Sequence, residues 1–426
     1  LNLDDRGEVR FKLHLGHHQQ AIALEIYLVG TDVLIEHHFR VYNISIDGAN
    51  KSEAELFRQM FHGLTREVTI ERQATHHTPR ATYIRASCAL EQISGRLRRT
   101  KPLIKIGTRE DIRLERDCYN QYIDKLDTTS TPPILAYAIG EESAGLAYVP
   151  HSQNQLGQLL NLCQFLQTRE ISEIGTVIDG LYSIVLDPLH ANAGQAEDVL
   201  NPTFPHLSSE KIERIWTQLS DMLGADFLQR YDTGRVTAAL DPEISAPDPF
   251  DLYHQKLKNP ISGLLADVHG DLRGEHIWID PILDPHVIDW RNHGRKHIFR
   301  DFASLEIDLR LSVIECLTRQ VHFGDWFAAE ASIADLDAEA APATDAAWEM
   351  PAFASRNDAD LWEKLYRVIR MIRQSALDNT GRERGSEYAT SLFMCTTEEI
   401  SIQHDPRQLV MLMGLALALG RVLDPQ

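Results

Sequence analysis

The chain has 426 residues, which is enough for two or three domains, and 43% hydrophobic with 24% charged residues is typical of a globular protein. Its 42 Lys and Arg against 62 Asp and Glu give a formal net charge of −20. This charge argues against a nucleic-acid partner, because such binding depends on Lys and Arg neutralising phosphates. Five scattered cysteines without a CxxC pair indicate a reduced, cytoplasmic protein. No apolar run predicts a membrane span or a signal peptide.

Residues 1–85 are expected to form a small α+β domain. Alternating apolar residues predict strands over 9–13, 21–29 and 33–41. Ser52 and Glu55 predict a capping box at the start of a helix that ends at Phe61. A regulatory or winged-helix-like domain that binds a protein partner is one interpretation of this segment.

Residues 86–150 predict mostly strands around one amphipathic helix. The predicted elements are a hairpin over 89–97, a strand over 102–107, a helix over 109–126, and strands over 134–139 and 145–149. Lys105 is the single charged residue between apolar neighbours in its strand. In the hairpin, Gly95 leaves a backbone amide that can approach phosphate, although an ordinary surface turn fits the same residues.

From residue 151 the pattern is mainly helical. Helices are predicted over 156–167, 171–186, 208–231, 301–317, 361–372, 388–400 and 406–422. Loops are predicted over 187–206 and 242–249, and the Ala- and Asp-rich stretch 328–347 is expected to be an exposed insertion or a flexible loop. A strand-rich region before a larger helical region predicts the α+β class.

The most informative stretch runs from Val268 to Asp289. An apolar run ends at Val268, and a His-Gly-Asp turn with Asp271 follows it. Two strand-like segments, 277–279 and 287–288, flank a turn that contains prolines, and the second segment ends in Asp289. The pair therefore presents two carboxylates from neighbouring loops. One carboxylate can orient and deprotonate a hydroxyl group while the other holds Mg²⁺ on a nucleotide.

These motifs resemble the kinase-like phosphotransferase superfamily, in its aminoglycoside phosphotransferase and choline kinase branch, whose catalytic loop reads His-Gly-Asp-Leu and then Asn. The segment 300–303, Arg-Asp-Phe-Ala, is similar to the bacterial ternary complex associated domain group. The resemblance covers residue 86 to the C-terminus. It implies a two-lobed protein-kinase-like fold with a small lobe over 86–150 and a helical lobe over 151–426. It also implies ATP with Mg²⁺ as cofactors, or Mn²⁺ in place of Mg²⁺.

The resemblance implies a role for residues in each lobe. In the helical lobe these are Asp271 as catalytic base, His269 organising its loop, Asp289 and His276 as metal ligands, and Asp301 supporting the loop. In the small lobe they are Lys105 on the nucleotide phosphates with Glu115 (or Glu110) as its partner, Ser94 and Gly95 in the glycine-rich loop, and Tyr148 and Val149 in the hinge that contacts adenine. His276 departs from the family, which has Asn at that place.

Three functions are open at this point. The first is an ATP-dependent phosphotransferase acting on a hydroxyl group of a small molecule or a protein. The second is a catalytically inactive nucleotide-binding or signalling module of a bacterial defence or regulatory system. This alternative is open because the glycine-rich loop has a single glycine and His276 stands where the family has Asn. The third is a metal hydrolase that uses the acids and nearby histidines, which otherwise are expected to be solvated loop residues: His286, His293 and His297. Aminoglycosides, nucleosides, choline-like amines and protein side chains all remain candidate acceptors.

Overall fold

The computed structural model describes residues 2–3, 9–10, 21–24, 39–42, 45–47, 51–62, 64–77, 81–91, 97–122, 131–149, 160–224, 227–231, 233–238, 241–318, 321–334, 355–403 and 405–425. The chain divides into two compact units, the first made of residues 1–113 and 133–149 and the second of residues 114–132 and 150–426. The first is built on a β-sheet and the second is mainly helical, so the predicted α+β class is confirmed.

The first unit contains a seven-stranded sheet. The strands and helices that begin in this unit are β1 (Asn2–Leu3), β2 (Val9–Arg10), β3 (Ala21–Leu24), β4 (Phe39–Tyr42), β5 (Ser45–Asp47), α1 (Lys51–Met60), β6 (Thr65–His77), β7 (Ala81–Glu91), β8 (Leu97–Thr100), β9 (Leu103–Gly107), α2 (Arg109–Tyr122), β10 (Ile134–Ile139) and β11 (Ala144–Tyr148). The sheet order is β10-β11-β9-β7-β6-β5, with β8 beside β7. Its pairs are antiparallel except for β5 with β6.

Helix α1 covers this sheet with one apolar face. Phe57 and Phe61 are fully buried in a cluster with sheet residues such as Ile84 and Ile104, as the spacing of four residues predicts for an amphipathic helix. Gly145 on β11 permits the contact, because a Cβ there would lie 2.6 Å from the sulfur of Met60. The strands predicted over 102–107, 134–139 and 145–149 are confirmed.

The second unit consists of helices packed around three small sheets. Its helices after α2 are α3 (Leu162–Thr168), α4 (Ile171–Gly180), α5 (Asp187–His190), α6 (Ser209–Leu223), α7 (Pro249–Lys258), α8 (Arg300–Cys316), α9 (Phe323–Ala334), α10 (Arg356–Thr380), α11 (Gly385–Ile400) and α12 (Pro406–Leu423). A π-helical turn, Leu181–Leu186, joins α4 to α5. Helix α12 is long and apolar enough to cross a membrane by length and composition, but 72% of it is buried inside the protein.

The strands of the second unit place the loops that matter for function. They are β12 (Leu160–Asn161), β13 (Gly194–Ala196), β14 (Leu228–Tyr231), β15 (Arg235–Ala238), β16 (Asp241–Pro247), β17 (Gly263–Val268), β18 (Ile277–Ile279), β19 (Pro285–Val287) and β20 (Gly294–His297). The sheet orders are β12-β18-β19, β13-β17-β20 and β14-β15-β16. The predicted hairpin is confirmed, since β18 pairs antiparallel with β19 and Ile277 lies opposite Val287.

Three predicted irregular segments are regular in part. The loop predicted over 187–206 was wrong for α5 and β13. The loop predicted over 242–249 was wrong, because residues 241–247 form β16, which pairs only with β15 in its sheet and so tolerates Pro242 and Pro247 at an edge. The flexible loop predicted over 328–347 was wrong for 328–334, which belong to α9. Ala is the strongest helix former, so an Ala-rich stretch with few bulky residues still forms a buried helix.

Some predicted residues lie outside the described parts of the chain, and no observation tests the predicted domain boundaries. Ser94 and Gly95, and residues 123–126 at the end of the predicted helix, lie outside the described residues. The division at residues 85 and 150 into three domains stays a prediction, and strand β7 runs across the first of these boundaries.

Candidate active site

The candidate site is built on the loop that follows β17. Strand β20 pairs with β17 and brings Gly294 opposite Val268, so residues 289–293 lie beside the loop that starts at His269. The two segments are in close contact at Gly270. Gly270 has φ +85°, and a Cβ there would lie 2.1 Å from the carbonyl oxygen of Asn292. Only glycine fits both the left-handed backbone and this close approach.

Asp301 holds the loop from the start of α8. Its two carboxylate oxygens accept hydrogen bonds from the backbone N–H groups of His269 and Gly270, each at 2.7 Å. The His269 ring is fully buried, and its Nε2 lies 2.9 Å from the carbonyl oxygen of Ile288. Burial lowers the pKa of His269, so the ring is neutral and Nε2–H donates to that carbonyl. His269 therefore fixes the loop against the β19 end, and its Nε2 proton is held in this hydrogen bond.

Asp271 projects from this loop towards two arginines and an asparagine. Arg273 Nε donates to its Oδ1 at 2.8 Å, Asn292 Nδ2 donates to its Oδ2 at 3.2 Å, and an Arg291 nitrogen lies 3.8 Å from Oδ2. Burial alone would raise the pKa of Asp271, but the positive charges of Arg273 and Arg300 hold it well below its ordinary value. Asp271 is therefore a fixed carboxylate that stays ionised.

Arg273 also forms ion pairs with two acids on helices that are distant in the sequence. Its guanidinium lies 3.0 Å from Glu399 on α11 and 3.7 Å from Asp308 on α8. Asp308 also accepts a hydrogen bond from the backbone N–H of Gly274 at 2.8 Å. Burial raises the pKa of Asp308 to about 6, although Arg273 opposes that change. The loop on either side of Asp271 is thus anchored to the helical core through one arginine.

Asp289 lies at the end of the hairpin in a left-handed conformation, with φ +69°. It is 2% exposed, and one of its oxygens lies 3.4 Å from Arg291 Nε. Arg291 therefore lies between Asp289 and Asp271 and contacts both carboxylates. The structure brings together four of the predicted residues, namely His269, Asp271, His276 and Asp289, with Asp301 behind them.

His276 connects the two aspartates. Its Nδ1 lies 2.9 Å from the backbone oxygen of Asp271, and its Nε2 lies 3.3 Å from Asp289 Oδ2 and 3.5 Å from Glu275 Oε1. A backbone carbonyl only accepts, so Nδ1 carries a proton. This leaves Nε2 able to coordinate a metal beside Asp289, since a metal-bound histidine usually donates its other N–H to a backbone carbonyl or carboxylate.

A divalent metal fits this donor set in part. Within the described residues, no group of three or more His, Cys, Asp or Glu side chains is arranged to hold a metal ion by itself. Mg²⁺ in kinases is commonly bound by one or two carboxylates, with substrate phosphates and water as the remaining ligands. Asp289 and His276 fit that second pattern, with a nitrogen in place of the amide oxygen of Asn.

The neighbouring histidines are buried, so the expectation that they are solvated was wrong. His286, His293 and His297 are at most 9% exposed. His286 Nε2 lies 3.3 Å from Asp280 and His297 Nε2 lies 3.5 Å from Glu387, which accounts for two of them as buried polar contacts. Burying an imidazole against a carboxylate removes its solvation cost. In the described parts of the chain, no group of three or more His, Cys, Asp or Glu side chains supports the metal hydrolase alternative.

The predicted residues of the smaller lobe are distributed over both units. Lys105 is 0% exposed in β9, between β7 and β11, with its ammonium 5.6 Å from the centre of the Tyr83 ring. Tyr148 is buried in β11, and Val149, whose N–H donates to the Pro133 oxygen at 3.0 Å, is the last residue of the first unit. Glu115 is 0% exposed on the part of α2 that belongs to the second unit.

Sequence reasoning missed several residues that contact Asp271 or Arg273. Arg291 and Asn292 come two and three residues after Asp289, so a hairpin that places Asp289 near Asp271 could have suggested them. Asp308 and Glu399 gave no such signal, because they are helical acids far along the chain, and Glu399 is 126 residues from Arg273. Lys296 was also missed. Its ammonium donates to the Asn292 carbonyl at 3.0 Å.

Residues 234–398 match the model of the family described as ternary complex associated domain 9. That span contains the loops of the candidate site and α8, so the resemblance to this group that the motifs predicted is confirmed there. No curated protein matches the chain.

Similar solved structures include three phosphotransferases. A choline kinase from Streptococcus pneumoniae is 10% identical with a TM-score of 0.37, over 79% of this chain and 89% of that one. An aminoglycoside phosphotransferase from Alicyclobacillus acidocaldarius is 12% identical with a TM-score of 0.35, over 88% and 95%. A macrolide 2'-phosphotransferase from Brachybacterium faecium is 12% identical with a TM-score of 0.33, over 88% and 98%.

Proposed function

We propose that this chain is an ATP-dependent phosphotransferase that moves a γ-phosphoryl group to a hydroxyl group of a small molecule or a protein. The observation that carries the proposal is the pair Asp271 and Asp289. The two carboxylates come from neighbouring loops, and both contact Arg291, at 3.8 Å and 3.4 Å. An ionised carboxylate for the acceptor beside a second one for a metal is the arrangement that phosphoryl transfer requires.

Asp271 acts mainly by positioning. Because Arg273 and its neighbours keep the pKa of Asp271 well below its ordinary value after opposing the effect of burial, this carboxylate is a weak base. It can accept a hydrogen bond from an acceptor hydroxyl and hold its oxygen in line for attack. It takes the proton of the hydroxyl group only after the bond to phosphorus has largely formed. This order suits a loose transition state, in which the attacking oxygen carries little positive charge.

Asp289 and His276 would hold the metal. When bound, a divalent cation on the nucleotide neutralises phosphate charge and orients the transferred group. Asp289 offers a carboxylate oxygen, the ligand that Mg²⁺ prefers, and His276 offers an imidazole nitrogen, which suits Mn²⁺ better. Asp301 and His269 do no chemistry in this proposal but keep the Asp271 loop rigid through the hydrogen bonds to its backbone.

The roles implied for the smaller lobe are part of the proposal. Lys105 would hold nucleotide phosphates, Glu115 would be an opposing carboxylate, and Tyr148 and Val149 would contact adenine through their backbone. Support for the first two is their full burial, since Lys105 and Glu115 are each 0% exposed. A buried charge is stable only near opposite charge or hydrogen-bonding groups.

ADP release from ATP with Mg²⁺ tests the proposal, with Asp271→Asn as the main variant. We expect turnover to fall about 10²- to 10⁴-fold, the range for loss of an acid–base group, while ADP with Mg²⁺ still raises the melting temperature. Asp284→Asn is the matched control, because Asp284 is an exposed acid in the turn of the same hairpin. Equal turnover in both variants would refute the role of Asp271.

A second candidate function is a nucleotide-binding module without catalysis. The observation that favours it is that both Asp271 oxygens already have partners, Arg273 on one and Asn292 on the other. Wild-type protein that gains stability from ADP with Mg²⁺ but releases no ADP from ATP, with any hydroxyl compound added, would establish this function instead.

A further inference from the structure

Lys296 is a half-buried lysine beside the Asp271 loop that the proposed mechanism does not use. It lies on β20 opposite Ala266 of β17. Its ammonium donates one hydrogen bond, to the carbonyl oxygen of Asn292 at 3.0 Å. Across the described parts of the chain it has no further hydrogen bond, and no carboxylate lies within 4.0 Å of it. Since an ammonium has three N–H groups, two donors of Lys296 remain for a ligand.

The position of this ammonium is next to the proposed acceptor carboxylate. A Cβ on Gly270, the residue before Asp271, would lie 2.9 Å from Lys296 Nζ. Asn292 joins the two side chains, because its carbonyl accepts from Lys296 while its amide donates to Asp271 at 3.2 Å. A molecule that presents a hydroxyl group to Asp271 therefore lies near Lys296, since Asn292 contacts both side chains.

The charges around Lys296 favour a bound anion. Burial lowers the pKa of Lys296, and the positive charge of Arg300 lowers it further, against the carboxylates of Asp301, Glu398 and Asp271, which raise it. Glu398 is already paired with Arg300 at 2.6 Å, and Asp301 accepts hydrogen bonds from the loop backbone. Both oxygens of Asp271 also have partners. An ammonium that has lost water and has a cationic neighbour is stabilised by an incoming phosphate or carboxylate group.

The side of Asp271 that faces the metal is connected differently. Arg291 links Asp271 to Asp289, whereas Asn292 links Asp271 to Lys296. The nucleotide phosphates are expected with the metal at Asp289. Lys296 is thus available to the acceptor.

We propose that Lys296 binds an anionic group of the acceptor, so that the acceptor is a hydroxyl compound that carries a phosphate or a carboxylate. The proposal rests on the proposed function, since it names the acceptor class of the same site. It runs against the net charge of −20, which by itself would favour a cationic acceptor. Local charge decides recognition at a site, and here the free donors belong to a cation.

The experiment measures binding of matched probes to the whole chain without nucleotide. Glycerol, glycerol 3-phosphate, D-glycerate and choline are titrated calorimetrically at neutral pH. We expect glycerol 3-phosphate or D-glycerate to bind at least about tenfold more tightly than glycerol and choline, as hydrogen bonds to a charged group would give. The two anions distinguish a phosphate-bearing from a carboxylate-bearing acceptor. Equal affinity for glycerol and for both anions would overturn the proposal.

The variant Lys296→Met should lose that preference about tenfold or more, and Lys296→Arg should keep most of it, because a guanidinium also donates to anions. Lys256→Met is the matched control. Lys256 is also half-buried, donates to one backbone carbonyl (Leu423, 3.4 Å), and has a pKa lowered by burial. Equal losses in the two Met variants would overturn the proposal, and a melting curve for each variant verifies folding.

Two further measurements separate this proposal from the proposed function. ADP with Mg²⁺ should bind Lys296→Met as tightly as wild type, and an equal loss of ADP binding would assign Lys296 to the nucleotide and overturn the proposal. Absence of ATP turnover in the wild type would refute the phosphotransferase function. Anion binding is measured without nucleotide, so it still shows whether Lys296 holds an anion.

Discussion

Helix α8 contributes residues to two clusters of charged side chains, which differ in solvent exposure and in the balance of positive and negative charge. The sealed cluster consists of Glu306, Arg310, Glu330 and Arg373, whose ion pairs measure 2.5 to 3.0 Å. The loop cluster consists of Asp271, Arg273, Asp308 and Glu399. Glu306 and Asp308 are two positions apart, so an α-helix of 3.6 residues per turn directs them about 200° apart, into different surroundings.

The two clusters teach how charge balance separates structural from functional ion pairs. In the sealed cluster two acids face two arginines, and the Tyr388 hydroxyl also donates to Glu306 at 2.7 Å. Burial would raise the pKa of Glu306, but Arg373 and Arg310 lower it to about 2. In the loop cluster three acids contact Arg273, of which only Asp271 is described with a second arginine, Arg291 at 3.8 Å. Burial raises the pKa of Asp308 in this cluster to about 6. An unbalanced cluster beside a loop leaves charge that a metal, a proton or a substrate can neutralise.

The largest expected effect is in the sealed cluster. Glu306→Gln leaves Arg310 and Arg373 buried with one carboxylate between them, and loss of one member of a buried ion pair costs about 3–5 kcal/mol. We expect the melting temperature of the second unit to fall accordingly in calorimetry. Glu363→Gln is the control, since Glu363 and Arg367 form an exposed pair on α10 whose loss costs at most about 1 kcal/mol. Similar decreases of the melting temperature in both variants would show that the charge balance of the sealed cluster does not determine stability.

The second prediction uses pH to contrast Glu306 with Asp308. A carboxyl whose folded pKa is lowered stabilises the fold above its unfolded pKa, so the contribution of Glu306 is lost as pH falls from its ordinary value of 4.5 to about 2. A carboxyl whose folded pKa is raised does the opposite. Asp308 costs stability as pH rises from its ordinary 3.8 through about 6.

The variant Asp308→Asn isolates the second effect. Since one pKa unit corresponds to about 1.4 kcal/mol, Asp308 accounts for at most about 3 kcal/mol between those pH values. We expect urea unfolding of the wild type to become easier between pH 4 and pH 7 by an amount that Asp308→Asn removes. Identical pH profiles for the two proteins would contradict the assignment.

The third prediction concerns the backbone that supports the loop cluster. Gly270→Ala should cost more than the roughly 1–2 kcal/mol of left-handed strain, because its Cβ would lie 2.1 Å from the Asn292 carbonyl oxygen and must displace it. We expect ATP turnover to fall with stability, since Asn292 also positions Asp271. Gly224→Ala is the control, because Gly224 has φ +96° but no atom within 4 Å of a Cβ. A larger loss of stability in the control would contradict the role of the contact.

The comparison also shows what could be predicted from the sequence. The β18–β19 hairpin, with Asp271 and Asp289 at its two sides, follows from strand-like residues and turn residues that are close along the chain. The partners of Arg273 do not, because ion pairs between helices depend on how the helices pack. The burial of His286 was missed because the polarity of the side chain alone suggested solvent. Its partner Asp280 directly follows β18, on the other side of the same hairpin.

The smallest expected effect tests whether the metal completes the loop cluster. His276→Asn replaces an imidazole nitrogen with an amide oxygen, a harder ligand that favours Mg²⁺ over Mn²⁺. We expect the ratio of Mg²⁺-supported to Mn²⁺-supported ATP turnover to rise about tenfold, the size of changes in metal-site surroundings. His276→Ala removes both the ligand and the Nδ1 contact to the Asp271 backbone, so it should weaken both metals. Binding of Mn²⁺ with ADP, followed by electron paramagnetic resonance, gives a readout that does not need turnover. An unchanged ratio in His276→Asn, with unchanged Mn²⁺ binding, would remove His276 from the metal site and leave Asp289 as the residue that neutralises the metal there.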